Sequence, residues 1–295
     1  MAFPDSLILS ADGTGSHPRF ALLRRLLRRP SALCGLVLMA AILAMAVLAH
    51  PLYPDDPLDM VAAPFLHPGT DAAFPLGSDM LGRDLAAGIF HGARISLLIG
   101  VVAALVSLVI GIGIGALSGY YGGRIDAGLM RLTELFQTIP PFLFSLAIVA
   151  ILQPSIATIT GAIGITAWPG LARLVRAEVL KLRHSELVEA SISLGASDAR
   201  IILLHILPNV LAPIVVSASI LVASAILSES SLAFLGLGDP NVVSWGGMVG
   251  AGREVIRTDW YVATIPGIAI LAAVLALNLL GDGLNDALNR KGQRR

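Results

Sequence analysis

Residues 135–172 run for 38 positions without an Asp, Glu, Lys or Arg. As one helix at about 1.5 Å per residue this run would reach about 57 Å, nearly twice a hydrocarbon core of about 30 Å. It must therefore fold back on itself. Gln153-Pro154-Ser155 supplies the break, because proline cannot donate to the helix ladder, and the run divides there into two spans. Four more uncharged stretches, Leu33 to Ala49, Ile95 to Gly123, Val210 to Ser228 and Tyr261 to Gly281, are long enough to satisfy their backbones as helices in lipid. The fold class expected is all-α: a polytopic membrane protein with six transmembrane helices. With 56% hydrophobic and 14% charged residues, the chain lacks the polar surface a soluble domain of this size needs.

A formal net charge of +0 argues against a nucleic-acid binder, and the single cysteine, Cys34, lies inside an apolar run where no disulfide framework or metal cluster can form. Arginine and lysine set the orientation, since basic residues near span ends stay on the cytoplasmic side. Sixteen of the twenty, from Arg19 through Arg131, Arg176, Lys181 and Arg200 to Arg295, fall on one side, against Arg83, Arg94, Arg253 and Arg257 on the other. Both termini are expected in the cytoplasm.

The organisation that follows is a cytoplasmic amphipathic arm over 1–30, a first transmembrane helix over 31–53, and a proline-rich external segment over 54–92. A core of five transmembrane helices over 93–283 and a cytoplasmic tail over 284–295 complete it. In the arm, Leu22, Leu23, Leu26 and Leu27 form one helical stripe and Arg24, Arg25, Arg28 and Arg29 another, the pattern of a helix lying on anionic lipid.

The longest cytoplasmic loop, 184–209, holds a polar island, "EASISLGASDARIILLHILPNV" from Glu189. Ser185 can cap a short helix carrying Glu186 and Glu189 in its first turn, where carboxylates favour the positive end of the dipole. Leu187, Ala190 or Ser191, and Leu194 then share one face. Gly195 stops this helix, and Ser197 or Asp198 caps a second, Ala199 to Leu207, which Pro208 interrupts. Local chemistry leaves two readings open, an interfacial connector covering lipid and a docking element.

Glu189-Ala190-Ser191, Gly195, Leu207 and Pro208 resemble the EAA loop of inner-membrane permeases of ABC importers, with Ser191 in place of that pattern's second alanine and His205 in place of its isoleucine. "PLGSDMLGRDLAAGIFHGARISLLIG" from Pro75, "SSLAFLGLGDPNVVSWGGM" from Ser230 and "PGIAILAAVLALNLLGDGLNDAL" from Pro266 resemble the oligopeptide and dipeptide branch of the same family. The resemblance implies a subunit forming half of a pore for di- and oligopeptides, paired with a second homologous permease, two cytoplasmic ATPase subunits or domains and an external peptide-binding protein. It also implies a coupling helix seated in the ATPase. There Glu189 offers a carboxylate to a basic group, Gly195 allows the turn, and Leu187, Leu194 and Leu207 line the contact. The two lysines, Lys181 after Leu180 and Lys291 after Arg290, leave no Gly-Lys for a phosphate-binding loop. No cofactor is expected in this chain, with ATP and Mg held by the partner ATPase.

Gly111, Gly115 and Gly119 repeat every four residues, a pattern that brings another helix backbone close, read first as packing within the subunit. Glu229 is the one acid directly inside a long apolar run, either hydrogen-bonded near the outer end of its span or part of a pathway or gate. Trp245 and Trp260 bracket the last outer loop as belt residues. The alternative function is an ion-coupled secondary carrier of small polar solutes, which would place ionisable residues along the membrane midplane; only Glu229 approaches that. A membrane-embedded enzyme finds no G-x-S-x-G, H-E-x-x-H or His-carboxylate cluster in the sequence.

Overall fold

The computed structural model describes residues 29–288, so the arm over 1–28 and the tail beyond 288 lie outside the described residues. The described chain is helical, with two isolated β-bridges in the segment before the second helix. In chain order the helices are α1 Pro30–Leu52, α2 Leu85–Tyr121, α3 Gly123–Thr138, α4 Pro141–Leu152, α5 Ile156–Arg183, α6 Glu186–Ser193, α7 Asp198–Leu237, α8 Trp245–Gly252 and α9 Tyr261–Leu288. Large apolar side chains such as Val47, Val109, Ile151 and Leu271 stand on the outside of this bundle. Contiguous apolar surface of that kind belongs against lipid.

Among the described residues four helices, α1, α2, α7 and α9, are long and apolar enough to cross a membrane, and the bent pair α3 and α4 makes a fifth if it is one span. The expected third span is thus corrected. Leu135 belongs to α3, and the apolar helix that follows, α4, is only 12 residues, about 18 Å of the about 30 Å required. The cause is Pro140-Pro141. A residue before proline is driven out of the helical region, and Ile139 (ψ 129°) and Pro140 (ψ 128°) are both extended, bending the pair by 76°. The second break falls at Gln153-Pro154-Ser155, with Gln153 at φ 70° and the Ser155 hydroxyl accepting from Thr158 N to cap α5. α5 is a 28-residue helix but is not among those that length and apolarity alone assign to the membrane.

The longest seam joins α2 to α5. Close contacts pair Gly164 with Val106, Gly111 with Leu171, Gly115 with Ala172 and Gly119 with Arg176, so the residue numbers rise together and the two helices run parallel. The Ser107 hydroxyl donates to Gly164 O at 2.8 Å along the same seam. A Cβ on Gly115 would lie 2.5 Å from Ala172 O and one on Gly119 2.8 Å from Arg176 O. Bare glycine lets the two backbones touch, and the partner of the glycine repeat is a helix of the same chain. Parallel neighbours require the intervening chain to return along their whole length, and α3 and α4 make that return.

α2 begins ten residues before the expected Ile95, where the Asp84 carboxylate accepts from Ala86 N at 2.8 Å and caps it. The end of α1 meets the start of α2, with Tyr53 O bonded to His91 Nε2 at 2.9 Å. At their other ends α1 and α9 are joined by an ion pair between Arg29 and Asp286. Residues 53–84 fold into successive turns around buried Ser78, whose hydroxyl donates to Ala63 O at 2.6 Å and accepts from Leu66 N at 2.9 Å.

Two further expectations are corrected. Pro208 does not interrupt its helix: α7 runs unbroken from Asp198 into the membrane span. The preceding stretch, Ile201–Ile206, is π-helical, with Leu207 N bonded to Ile202 O, and the wider turn absorbs the missing donor and the bulk of the proline ring. Trp245 is no belt residue. It is wholly buried at the start of α8, its indole N–H donating to Ile89 O at 2.9 Å and its backbone N–H to the Ser96 hydroxyl at 3.1 Å, while Trp260 is exposed.

Candidate functional site

The polar island forms a short arm off the bundle. Ser185 opens α6 through its carbonyl, which accepts from Val188 N and Glu189 N; its side chain makes no cap. At the other end Gly195 N bonds to Ile192 O and Ala196 N to Ser191 O, with Gly195 at φ 77°. That pair of bonds around a left-handed residue is a Schellman stop, and glycine occupies it without the steric penalty a Cβ would bring.

Of the eight residues of α6 two are buried and six are exposed. Val188, 1% exposed, and Ser191 face inward, the serine hydroxyl returning to Leu187 O at 2.8 Å. Glu186, Leu187 (53% exposed), Glu189, Ala190, Ile192 and Ser193 are exposed, as is Leu194 (87% exposed) just past the helix end. Of the two residues open to the outer face, the structure places Ala190 there and turns Ser191 toward the bundle. Leu207 is half-buried against the core beneath, and Pro208 is exposed one residue further along α7.

That core gathers Val188 with Ile201, Ile202 and Ile206 from the start of α7, Ala116 and Tyr120 from α2, and Val175 and Val179 from α5. Around it runs a polar rim. The Tyr120 hydroxyl donates to Asp198 Oδ1 at 2.8 Å. Arg176 donates Nε and Nη2 to the two oxygens of Asp126, each at 2.6 Å, and the Ser118 hydroxyl also donates to Asp126. A bidentate guanidinium–carboxylate pair fixes orientation as well as distance. Sequence reasoning missed Tyr120, Asp126 and Arg176 as a group, because 50 residues separate Asp126 from Arg176 and no local pattern pairs them.

The exposed surface of α6 and its C-cap therefore carries Leu187, Ile192 and Leu194 with Ala190 and the carboxylates of Glu186 and Glu189, held out on a braced support. Such a face can bind a complementary groove. Glu229 lies elsewhere, 2% exposed near the end of α7; its Oε1 accepts from the Ser244 hydroxyl at 2.6 Å, and its Oε2 is enclosed without a hydrogen-bond partner among the described residues. The structure does not bring Glu229 together with the loop.

A bundle of apolar helices carrying a short loop helix off one end has the fold of the transmembrane subunits of ABC importers. Among solved structures it is similar to the inward-facing MetNI methionine ABC transporter, with a TM-score of 0.57 and 19% identity over 68% of this chain and 95% of that chain. Residues 111–293 match the family described as binding-protein-dependent transport system inner membrane component, and the chain belongs to that family, a multi-pass permease of the inner membrane. Residues 21–70 match the N-terminal TM domain of oligopeptide transport permease C. The chain is 41% identical to the di/tripeptide transport system permease protein DppC of Pseudomonas aeruginosa, over 88% of each chain. It is 39% identical to the dipeptide transport system permease protein DppC of Bacillus subtilis, covering 92% of this chain and 85% of that one. The glutathione transport system permease protein GsiD of Pectobacterium atrosepticum is also 39% identical, over 91% and 89% of the two chains.

Proposed function

We propose that the chain forms half of the translocation pathway of an ATP-driven importer, taking di- and oligopeptides from an external binding protein and coupled to separate ATPases. The observation that carries this reading is the outer face of α6, where Glu189 stands among exposed Leu187, Ala190 and Leu194 on a support braced by α2 and α5. A lipid cover has no need of a carboxylate at that place. An ATPase groove with a basic group does. The second permease completes the pathway, two ATPase subunits or domains hold ATP and Mg, and this chain contributes no cofactor site.

Six spans with both termini in the cytoplasm fit the same reading. The parallel course of α2 and α5 calls for a crossing between them, which the bent pair α3 and α4 supplies, and α5 is the remaining crossing before the loop. With exposed Cys34 replaced by serine, a cysteine at Asp71 is expected to react from outside with a membrane-impermeant maleimide, and one at Lys181 only after the inner face is opened. Labelling of position 71 from the inside alone rejects this topology.

The purified chain by itself is expected to hydrolyse no ATP, and hydrolysis should appear once a second permease and two ATPase chains are added. ATP turnover by the isolated chain, at a rate comparable with the assembled complex, would contradict the assignment.

A further inference from the structure

We propose that Tyr120 is a positioning residue whose hydroxyl, through Asp198, hands movement of the loop to the membrane bundle; this rests on the docking role given to α6 above. The two halves of the loop meet at Gly195, whose φ of 77° marks a sharp turn and around which no neighbouring atom crowds. Besides the covalent chain through α5 and α7, force applied to the exposed side of α6 reaches the bundle by two non-covalent routes. One is the apolar cluster that includes Val188, Ile201 and Val179, which resists compression and permits sliding. The other is directional: Asp198, the first residue of α7 after the turn, accepts from Tyr120 at 2.8 Å. Tyr120 is itself buried at the last turn of α2.

What Tyr120 is attached to gives the bond its reach. Two residues earlier on α2, Ser118 donates to Asp126 of α3, and the same carboxylate is gripped at both oxygens by Arg176 of α5. Gly115 and Gly119 hold the backbones of α2 and α5 in contact along this stretch. The lower ends of α2, α3 and α5 thus form one unit, and the Tyr120 to Asp198 bond hooks the loop to it. Glu189, Leu187 and Leu194 take no part in this bond: all three are exposed, whereas Val188 is buried.

The test is Tyr120→Phe, which keeps the ring in its pocket and removes only the hydroxyl. In the full complex of both permeases, both ATPases and the binding protein, reconstituted in vesicles and supplied with labelled dialanine, the variant should insert and retain the ATPases as the unmodified chain does. Uptake should fall about tenfold, the factor for losing one hydrogen bond to a charged acceptor, while ATP hydrolysis falls less, so that more ATP is spent per peptide carried. Asp198→Ala should match it, and the double variant should be no worse than either single, because both remove the same bond. Asp198→Asn, which keeps an acceptor oxygen, should restore most of the uptake.

Normal uptake by Tyr120→Phe, in a complex where Glu189→Ala loses the ATPase, overturns this inference and leaves the docking role standing. Loss of abundance or ATPase retention in step with uptake also overturns it, since a bond that only stabilises the fold would behave so. If Glu189→Ala retains the ATPase, the docking role fails and this inference fails with it.

Discussion

Glu189→Ala is expected to leave insertion and abundance near those of the unmodified chain while co-purification of the ATPase and peptide uptake both collapse. The carboxylate is exposed in the isolated chain, so its removal costs the fold only its small favourable interaction with the helix dipole. In a groove shielded from water the loss leaves a partner charge unpaired, at a cost of about 2–5 kcal/mol. Each 1.4 kcal/mol or so is tenfold in affinity, so the ATPase should be lost on any column that retains it through the unmodified chain. Gly195→Val should give the same phenotype by another route. The residue sits at φ 77°, which a β-branched side chain strongly resists, and no neighbouring atom stands within 4 Å, so the damage comes from the backbone turn and not from crowding. Glu186→Ala, also in the first turn of α6 but outside the EAA pattern, is the control and should matter less. Full ATPase recovery with both Glu189→Ala and Gly195→Val would remove the docking role from this loop.

The largest loss of stability is expected from Gly115→Leu. Even a Cβ at this position would stand 2.5 Å from Ala172 O, 2.7 Å from Val175 Cβ and 3.0 Å from Arg176 N. Two of those atoms belong to the backbone of α5 and cannot rotate away, so α2 must lift off its longest seam. Overpacking of a close-packed contact costs about 1–3 kcal/mol, and a leucine against a backbone belongs at or beyond the upper end. Gly113, two residues away on the same helix, has nothing within 4 Å, and Gly113→Ala should be neutral or raise stability by up to about 1 kcal/mol through helix propensity. Thermal unfolding of the purified chain in detergent decides the matter. Equal midpoints for Gly115→Leu and Gly113→Ala would show that α2 and α5 do not meet as described.

Much of the fold is written in the apolar runs. Three uncharged stretches sit inside α1, α7 and α9, and the fourth overruns the end of α2 by two residues, because a lipid-spanning helix has to announce itself in composition. The helix ends are less legible. Pro140-Pro141 is as strong a stop as Gln153-Pro154-Ser155, yet the absence of charge across 135–172 hides it, since α3 keeps its charges at Arg124, Asp126, Arg131 and Glu134, ahead of that window. Pro208 errs the other way: proline reads as a break, and a π-helical turn upstream, which no sequence pattern marks, takes up the strain. Within the loop, the stop at Gly195 is readable from one residue. The choice of Ala190 over Ser191 for the outer face depends on what α2 and α5 place beneath α6, and the bracing by Tyr120, Asp126 and Arg176 depends wholly on tertiary contact.

The parallel seam of α2 and α5 also fixes an order of events during synthesis. Leu171, the residue that Gly111 packs against, follows it by 60 positions. At about 5–20 residues per second, α2 therefore sits in the bilayer for roughly 3–12 s before its glycine face can be covered. α3 and α4, made within that interval, carry the chain back to the start of α5. The helix with the barest face is thus made early and completed late, and until α5 arrives α2 is a membrane helix whose best partner does not yet exist.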